Sequence, residues 1–364
     1  MKTETLLKKI HNFSAGPGIL PIEVLKQSAE AVMNYNNSGL SLLEVSHRGK
    51  DFIASMEEAR SLVKELFGLG DDYKVLFLGG GASLQFGMVP SNLLKVNGTA
   101  AYVNTGVWAS KAIKEAKIVG NINVIASSED KKFSFVPKNY TIPTDADYLH
   151  VTSNNTIYGT QMKQFPYESP VPLVCDMSSD IFSRVVDAKK FALIYAGAQK
   201  NMGPAGTTMI VLREDILGKT ERKILSMLDY KVHLKADSMY NTPPVFPIYV
   251  AMLTMKWLKA NGGVAWIEKI NKQKAELFYG EVDRNSLFEG TCAKEDRSPM
   301  NATFVMKNPA LEPEFDKLAK EASLSGLKGH RDVGGYRASM YNALPLESVQ
   351  ALVDVMKELE TKFA

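Results

Sequence analysis

The sequence has few cysteines and no long uninterrupted apolar run. Cys175 and Cys292 are the only two cysteines in 364 residues, which is too few for a disulfide framework and is typical of a reducing compartment. The most apolar stretch, residues 245–258, contains Pro247 and Lys256 and is too short to span a bilayer. Residues 1–10 lack the apolar core of a signal peptide. We therefore expect a soluble cytoplasmic protein that does not bind membranes.

A strong charge imbalance is also lacking. The chain has 43 basic and 40 acidic residues, a net charge of +3, without any tract rich in Lys or Arg, so we do not expect nucleic acid as a partner. Neither an internal repeat nor a low-complexity tract is present. With 45% hydrophobic residues, the chain can bury a large core in one or two domains.

Strand-like and helix-like segments alternate over most of the chain, which predicts an α/β fold with a mainly parallel sheet. The predicted strands are 73–78, 100–103, 122–125, 148–151, 173–175, 192–195 and 208–212, and the predicted helices are 21–35, 52–67, 84–94, 108–117 and 245–259. The Asn-Gly-Gly sequence at 261–263 then predicts a stop and a domain boundary. Helices at 268–279, 313–322 and 345–363 with strands at 302–306 and 336–341 predict a smaller α+β domain. We expect a large domain of 17–262 and a small domain of 1–16 plus 263–364.

Lys200 follows a short apolar run and precedes a turn rich in Gly and Pro, within AGAQKNMGPAG at 196–206. Burial of an amine at the end of a strand lowers its pKa toward the neutral, nucleophilic form. Such lysines form Schiff bases with carbonyls, including the aldehyde of pyridoxal phosphate. An ordinary strand-end lysine that reaches solvent is the simpler interpretation of this residue alone.

Asp176 ends another apolar run about two dozen residues upstream. A carboxylate beneath a pyridinium nitrogen keeps that nitrogen protonated, so that the ring can accept electrons from a breaking Cα–H bond. Asp176 could instead cap a helix, but a strand-end Asp and a strand-end Lys suit two strands that converge on one cofactor.

Three other features fit such a cofactor, although each has a simpler structural interpretation. The glycine turn at 79–83 joins a strand to a helix and favours an anion such as a phosphate, but it could equally be a tight connection. Trp108 could stack on a pyridine ring or belong to the core. Thr156 could donate to a phenolic oxygen or lie in an Asn-rich turn.

Histidine is scarce, with five in the chain, yet two of them precede an arginine: His47-Arg48 and His330-Arg331. Arg337 follows shortly after the second pair. Each could be a surface charge, but together they offer donors suited to carboxylate and phosphate oxygens.

Taken together, NFSAGP at 12–17, EVSHRG at 44–49, the lysine segment at 196–206, YNTPP at 240–244 and LKGHR at 327–331 closely resemble the phosphoserine aminotransferase family. This family belongs to the class V group of fold-type-I pyridoxal-phosphate enzymes, and the resemblance covers nearly the whole chain. It implies the fold-type-I architecture, pyridoxal 5′-phosphate as cofactor and a homodimer with shared active sites. It also implies reversible transamination between glutamate and 3-phosphohydroxypyruvate in serine biosynthesis, with a related step of pyridoxine synthesis left open.

The resemblance also implies roles for individual residues. Lys200 would carry the cofactor, Asp176 would pair with its ring nitrogen, Trp108 would stack on it and Thr156 would lie near its phenolic oxygen. Its phosphate would be held by Ala82, Ser83 and Gln199, and by Asn241 and Thr242 of the second subunit. Arg337 would bind the substrate α-carboxylate, while His47 and Arg48 of the second subunit with His330 and Arg331 would bind its distal anionic group. No metal is predicted.

Positions 82 and 83 differ from those of some members of this family. Some members have Gly-Arg where this chain has Ala82-Ser83, and that arginine helps to bind the substrate phosphate.

Two other class V reactions are alternative functions, that of a serine–glyoxylate aminotransferase and that of a cysteine desulfurase. The desulfurase would need a mobile reactive cysteine, which neither Cys175 nor Cys292 resembles. A non-catalytic anion-binding protein is the third alternative, and intact Lys200 and Asp176 argue against it.

Overall fold

The computed structural model describes residues 10–331 and 333–364. Its helices are α1 (Ile22–Met33), α2 (Lys50–Phe67), α3 (Gly81–Leu93), α4 (Val107–Val119), α5 (Tyr230–Lys235), α6 (Val245–Ala260), α7 (Gly263–Arg284), α8 (Glu312–Glu321) and α9 (Leu346–Phe363). Its strands are β1 (His11–Asn12), β2 (Tyr73–Leu78), β3 (Thr99–Asn104), β4 (Asn121–Ser127), β5 (Leu149–Thr152), β6 (Asn154–Asn155), β7 (Thr160–Gln161), β8 (Leu173–Asp176), β9 (Leu193–Gly197), β10 (Thr208–Arg213), β11 (Phe288–Gly290), β12 (Asn301–Met306), β13 (Leu324–Ser325) and β14 (Tyr336–Ser339).

A seven-stranded sheet in the order β2-β10-β9-β8-β5-β3-β4 forms the centre of the fold. The strands from β9 to β4 pair in parallel, and only β10 runs antiparallel to both of its neighbours. The predicted α/β fold with a mainly parallel sheet is therefore confirmed. The reversal of β10 follows from the connection at 198–207, which has no crossover helix and so returns the chain beside β9 in the opposite direction.

The sheet has a buried core on each face because successive side chains of a strand point to opposite sides. Val75 and Phe77 of β2 pack into a core with residues of α1, α2 and α6. Leu76 and Leu78 of the same strand pack into a second core with residues of α3 and α4. Helices thus cover both faces of the sheet, so that a ligand can approach it only at the ends of the strands.

A second sheet, β11-β12-β14, is antiparallel. Its core contains an aromatic cluster in which the rings of Phe304 and Tyr336 are stacked with centroids 5.5 Å apart, together with residues of α7, α8 and α9. Phe13 lies in the same core, and β1 pairs in parallel with β13. The start of the described chain therefore packs with its last third. The boundary between 17–262 and 263–364 stays a prediction, and residues 1–9 of that assignment lie outside the described residues.

Several boundaries differ from those predicted. Helix α3 begins at Gly81 rather than at 84, so the glycine turn includes its first turn. The chain enters the helix through Gly80 and Gly81, whose φ angles of 91° and 66° favour glycine. Helix α7 is longer than predicted and begins directly at Gly263. Strand β11 was not predicted, since three residues carry too little pattern. Within the described residues, no helix is both long and apolar enough to cross a membrane.

Candidate active site

Lys200 lies in the connection that follows β9, at the carboxyl edge of the central sheet. Its Nζ donates a hydrogen bond of 2.7 Å to Oγ1 of Thr156. Burial lowers the pKa of this amine to about 8, opposed by the charge of Asp176 and assisted by the charge of Arg337. An amine with this pKa is partly neutral near physiological pH and can act as a nucleophile or a base.

Asp176 is the last residue of β8 and is only 4% exposed. The backbone N–H of Ser178 donates to its Oδ1 at 2.9 Å. Burial raises the pKa of this carboxyl, whereas the hydrogen bonds of Ser178 and the charge of Lys200 lower it. The ammonium of Lys200 and the carboxylate of Asp176 therefore interact electrostatically. They lie at the edge of the sheet where β8 and β9 both end.

Trp108, the second residue of α4, lies beside this lysine. Nζ of Lys200 is 5.2 Å from the centroid of the indole ring, and Nζ of Lys111 is 4.6 Å from it. The indole Nε1 is buried and has no hydrogen-bond partner in the described part of the chain. A flat ring beside the amine is suited to stacking on an aromatic group bonded to that amine.

Two of the residues predicted to bind the cofactor phosphate, Ala82 and Ser83, lie in the first turn of α3. Ala82 is partly buried and Ser83 is exposed there, where the free N–H groups of a helix start favour a negative group. The side chain of Gln199, next to Lys200, folds back over Gly197: a Cβ at Gly197 would lie 2.6 Å from Oε1 of Gln199.

Arg337 on β14 contacts Thr156, the same residue that accepts a hydrogen bond from Lys200. Its Nη1 donates to the backbone oxygen of Thr156 at 3.2 Å, and its Nε is buried without a hydrogen-bond partner among residues 10–331 and 333–364. Burial lowers the pKa of the guanidinium, although arginine stays charged at neutral pH. A partly buried guanidinium whose buried Nε–H is unused suits a carboxylate ligand.

The remaining predicted residues lie in loops. Asn241 and Thr242 are exposed, which leaves them accessible to a second subunit. Arg48 is exposed, whereas Nε2 of His47 is buried without a hydrogen-bond partner in the described chain. His330 and Arg331 begin a turn in which the backbone oxygen of His330 accepts from Gly334 at 2.8 Å. The structure thus brings Lys200, Asp176, Thr156, Trp108 and Arg337 together, and the single chain does not test the contributions of a second subunit.

Sequence reasoning missed the residues that pack behind the lysine. The N–H of Gly18 donates to the backbone oxygen of Gln199 at 2.8 Å. A Cβ at Gly18 would lie 2.7 Å from the backbone oxygen of Lys200 and 2.8 Å from the ring of Tyr341. Ser178, which hydrogen-bonds Asp176, was also missed. Its position two residues after the aspartate was the available signal, since Asp commonly accepts from the N–H two residues on.

These residues fit pyridoxal phosphate as a bound group. The fit is indicated by the buried amine, the buried carboxylate coupled to it, the adjacent indole with an unused N–H and the glycine turn at a helix start. The described residues contain no group of three or more His, Cys, Asp or Glu side chains that could hold a metal ion.

Comparisons with known proteins show the family to which this chain belongs. The family described as aminotransferase class-V matches residues 10–352. The phosphoserine aminotransferase of Flavobacterium psychrophilum is 66% identical over 97% of this chain and 99% of its own. The solved phosphoserine aminotransferase of Bacillus circulans subsp. alkalophilus is 45% identical, with a TM-score of 0.95 over 98% of this chain and 99% of its own. The enzyme from Trichomonas vaginalis, solved with pyridoxal phosphate bound, is 37% identical, with a TM-score of 0.90 over 96% of this chain and 100% of its own.

The chain therefore belongs to the class-V aminotransferases, which are pyridoxal-phosphate-dependent enzymes. Within that family it is a phosphoserine aminotransferase.

Proposed function

We propose that this enzyme transfers an amino group reversibly between glutamate and 3-phosphohydroxypyruvate, with Lys200 as the cofactor-linked base. The observation that carries the proposal is the buried Lys200 amine, held by Thr156 and placed beside Asp176, Trp108 and Arg337. The products are phosphoserine and 2-oxoglutarate, which assigns the enzyme to serine biosynthesis.

Each residue contributes through its own chemistry. Pyridoxal phosphate, when bound, supplies an electron sink that acidifies the substrate Cα–H bond. Lys200 accepts the Cα proton at Nζ, and its lowered pKa keeps a useful fraction of the amine neutral. Asp176 keeps a negative charge in a buried site, because the N–H of Ser178 and the charge of Lys200 stabilise its ionised form. Arg337 orients the substrate through its α-carboxylate.

The ends of the two substrates are recognised by cations. Glutamate ends in a carboxylate and 3-phosphohydroxypyruvate in a phosphate, so one cationic pocket can bind both. We assign this pocket to His330 and Arg331 together with His47 and Arg48 of a second subunit. Ser83 contributes only a hydroxyl and a backbone N–H where some relatives have an arginine, so the proposed recognition of the substrate phosphate depends on these four residues.

The cofactor phosphate is assigned to Ala82, Ser83 and Gln199 of one subunit and to Asn241 and Thr242 of the other. This assignment requires a homodimer, which we propose because these last two residues are exposed on a loop. We further infer a cytoplasmic location, since the two cysteines are buried and free and both substrates are small metabolites.

The first experiment is an absorbance titration of the purified enzyme with its cofactor. We expect glutamate to abolish the visible band of the lysine-linked cofactor, and 3-phosphohydroxypyruvate to restore it, as does 2-oxoglutarate through the reverse reaction, but not glyoxylate or pyruvate. Equal restoration by glyoxylate or pyruvate would contradict the substrate assignment but keep the transaminase. Adding the phosphorylated four-carbon 2-oxo acid of pyridoxine synthesis in a separate titration tests the second activity. Absence of a band after addition of pyridoxal phosphate would overturn the proposed cofactor site.

A further inference from the structure

A lysine outside the active site, Lys274 of α7, is 0% exposed. Its Nζ donates to the backbone oxygens of Met340, Tyr341 and Leu344 at 3.0, 2.8 and 3.2 Å. Three donated bonds need three N–H groups, which an ammonium has and a neutral amine lacks. Burial lowers the pKa of this ammonium to about 7. The charged group is thus buried against backbone oxygens of a single segment, residues 340–344, which we name the 340–344 turn.

The 340–344 turn reaches the neighbours of Lys200 on two sides. The backbone N–H of Asn342 donates to Oδ1 of Asn201 at 2.8 Å, and Asn201 directly follows Lys200. The hydroxyl of Tyr341 donates to the backbone oxygen of Ala15 at 2.6 Å. The next residue, Gly16, packs on the lysine side chain, since a Cβ there would lie 3.4 Å from Cγ of Lys200. The turn therefore holds both segments that flank the reactive amine.

The same turn follows the strand that carries Arg337. Strand β14 ends at Ser339, and the turn begins at the next residue. Asn271 lies one helical turn before Lys274 on α7. Its Nδ2 donates a hydrogen bond to Oδ1 of Asn342 at 2.8 Å. Helix α7 thus fixes the turn through an ammonium and an amide, and the turn connects Arg337 to the surroundings of Lys200.

We infer that Lys274 is a positioning residue, which through the 340–344 turn sets the placement of Arg337 relative to Lys200. The inference rests on the roles proposed above for these two residues. A displacement of about 1 Å at a reacting centre can cost roughly 100-fold in rate. A single buried ammonium that fixes this turn is therefore sufficient to control substrate alignment.

The test replaces Lys274 by methionine, which keeps the length of the side chain and removes its charge. We expect KM for both glutamate and 3-phosphohydroxypyruvate to rise by about 10-fold or more, because both place a carboxylate on Arg337, while the visible cofactor band persists. In the cofactor-free protein, amide hydrogen exchange over 199–203 and 339–345 should become faster. Lys269→Met, at an exposed position of the same helix, is the matched control and should change neither quantity.

A double-mutant cycle with Asn342→Ala tests the route of the effect. If Lys274 acts through the turn, the loss of kcat/KM in the double variant is smaller than the product of the two single losses. A full product, or unchanged KM and exchange in Lys274→Met, overturns the inference. If Lys274→Met does not fold, the variants Asn342→Ala and Tyr341→Phe are measured instead. The inference is then contradicted if both variants keep the original KM and the original exchange rates over 199–203. Turnover by Lys200→Ala would instead overturn the proposed function itself.

Discussion

At the residue scale, the partly buried Lys200 and the buried Asp176 have opposite charges and modify each other, and we propose that this pair controls the chemistry. Asp176 raises the proton affinity of Lys200 and Lys200 lowers that of Asp176, while burial acts in the opposite direction on both. The amine therefore loses its proton more easily than a solvated lysine, and the carboxyl keeps a partner for its charge. Removal of either group changes the other. Substitution of Asp176 is expected to affect catalysis more than cofactor attachment, whereas substitution of Lys200 removes both the base and the point of attachment.

Asp176→Asn keeps the shape of the side chain and removes its charge. We expect kcat to fall by about 100- to 1,000-fold, the loss typical of removing a preorganised charge from a buried site, while the visible band of the lysine-linked cofactor still forms. Steady-state kinetics and an absorbance spectrum measure the two effects. Asp187→Asn, at an exposed position, serves as control and should behave as the unaltered enzyme. An Asp176→Asn variant with the original kcat would refute the role of this carboxylate.

The lowered pKa of Lys200 predicts how cofactor attachment depends on pH. Only the neutral amine attacks an aldehyde, so below the pKa of about 8 the rate of attachment to the cofactor-free protein should rise about tenfold per pH unit. Above that pKa the rate should level off, because the amine is already neutral. Stopped-flow absorbance after mixing with pyridoxal phosphate measures the profile. A midpoint near the ordinary lysine pKa of about 10.4 would contradict it.

At the element scale, β9, the connection at 198–207 and β10 show what the sequence can and cannot predict. Both strands were predicted, because short apolar runs between Gly and Pro are a local signal. The antiparallel direction of β10 was not, since direction depends on how the connection folds back across the sheet. Asp176 and Lys200 were predicted as site residues because the first ends a short apolar run and the second follows one closely. The packing of Gly18 on Lys200 left no local signal, because that contact joins positions far apart in the chain.

Position 18 is expected not to tolerate any residue with a side chain. Gly18→Ala would place a Cβ 2.7 Å from the backbone oxygen of Lys200, so the segment must shift, and we expect destabilisation of about 1–3 kcal/mol. Denaturant unfolding measures it. Gly280→Ala in α7 is the control, because nothing lies within 4 Å of its added Cβ, and it should stabilise by about 0.5–1 kcal/mol. Equal effects of the two substitutions would show that the close approach at Gly18 is not restrictive.

At the scale of the whole molecule, the proposed shared site predicts complementation between inactive variants. Lys200→Ala lacks the base, and Arg48→Ala lacks a cation that we assign to the opposite subunit. Mixed dimers contain one site in which both residues are intact, so unfolding and refolding the two variants together should restore up to about a quarter of the activity. Activity assays on the mixture and on each variant alone measure this. No recovery, with mixed dimers demonstrated by tagged subunits, would place both residues in one subunit's site.

The hydrogen bond from Tyr341 to Ala15 joins residues 326 positions apart, and β1 pairs with β13 at a similar separation. During synthesis on the ribosome, the segment at 10–18 is made long before Tyr341, which follows Ala15 by 326 positions. The central sheet can form earlier, since its strands end at Arg213. A nascent chain can therefore hold Lys200 and Asp176 on a formed sheet before Arg337 and the 340–344 turn exist. Arg337, which we propose binds the substrate carboxylate, is thus synthesised well after the sheet that carries Lys200 and Asp176.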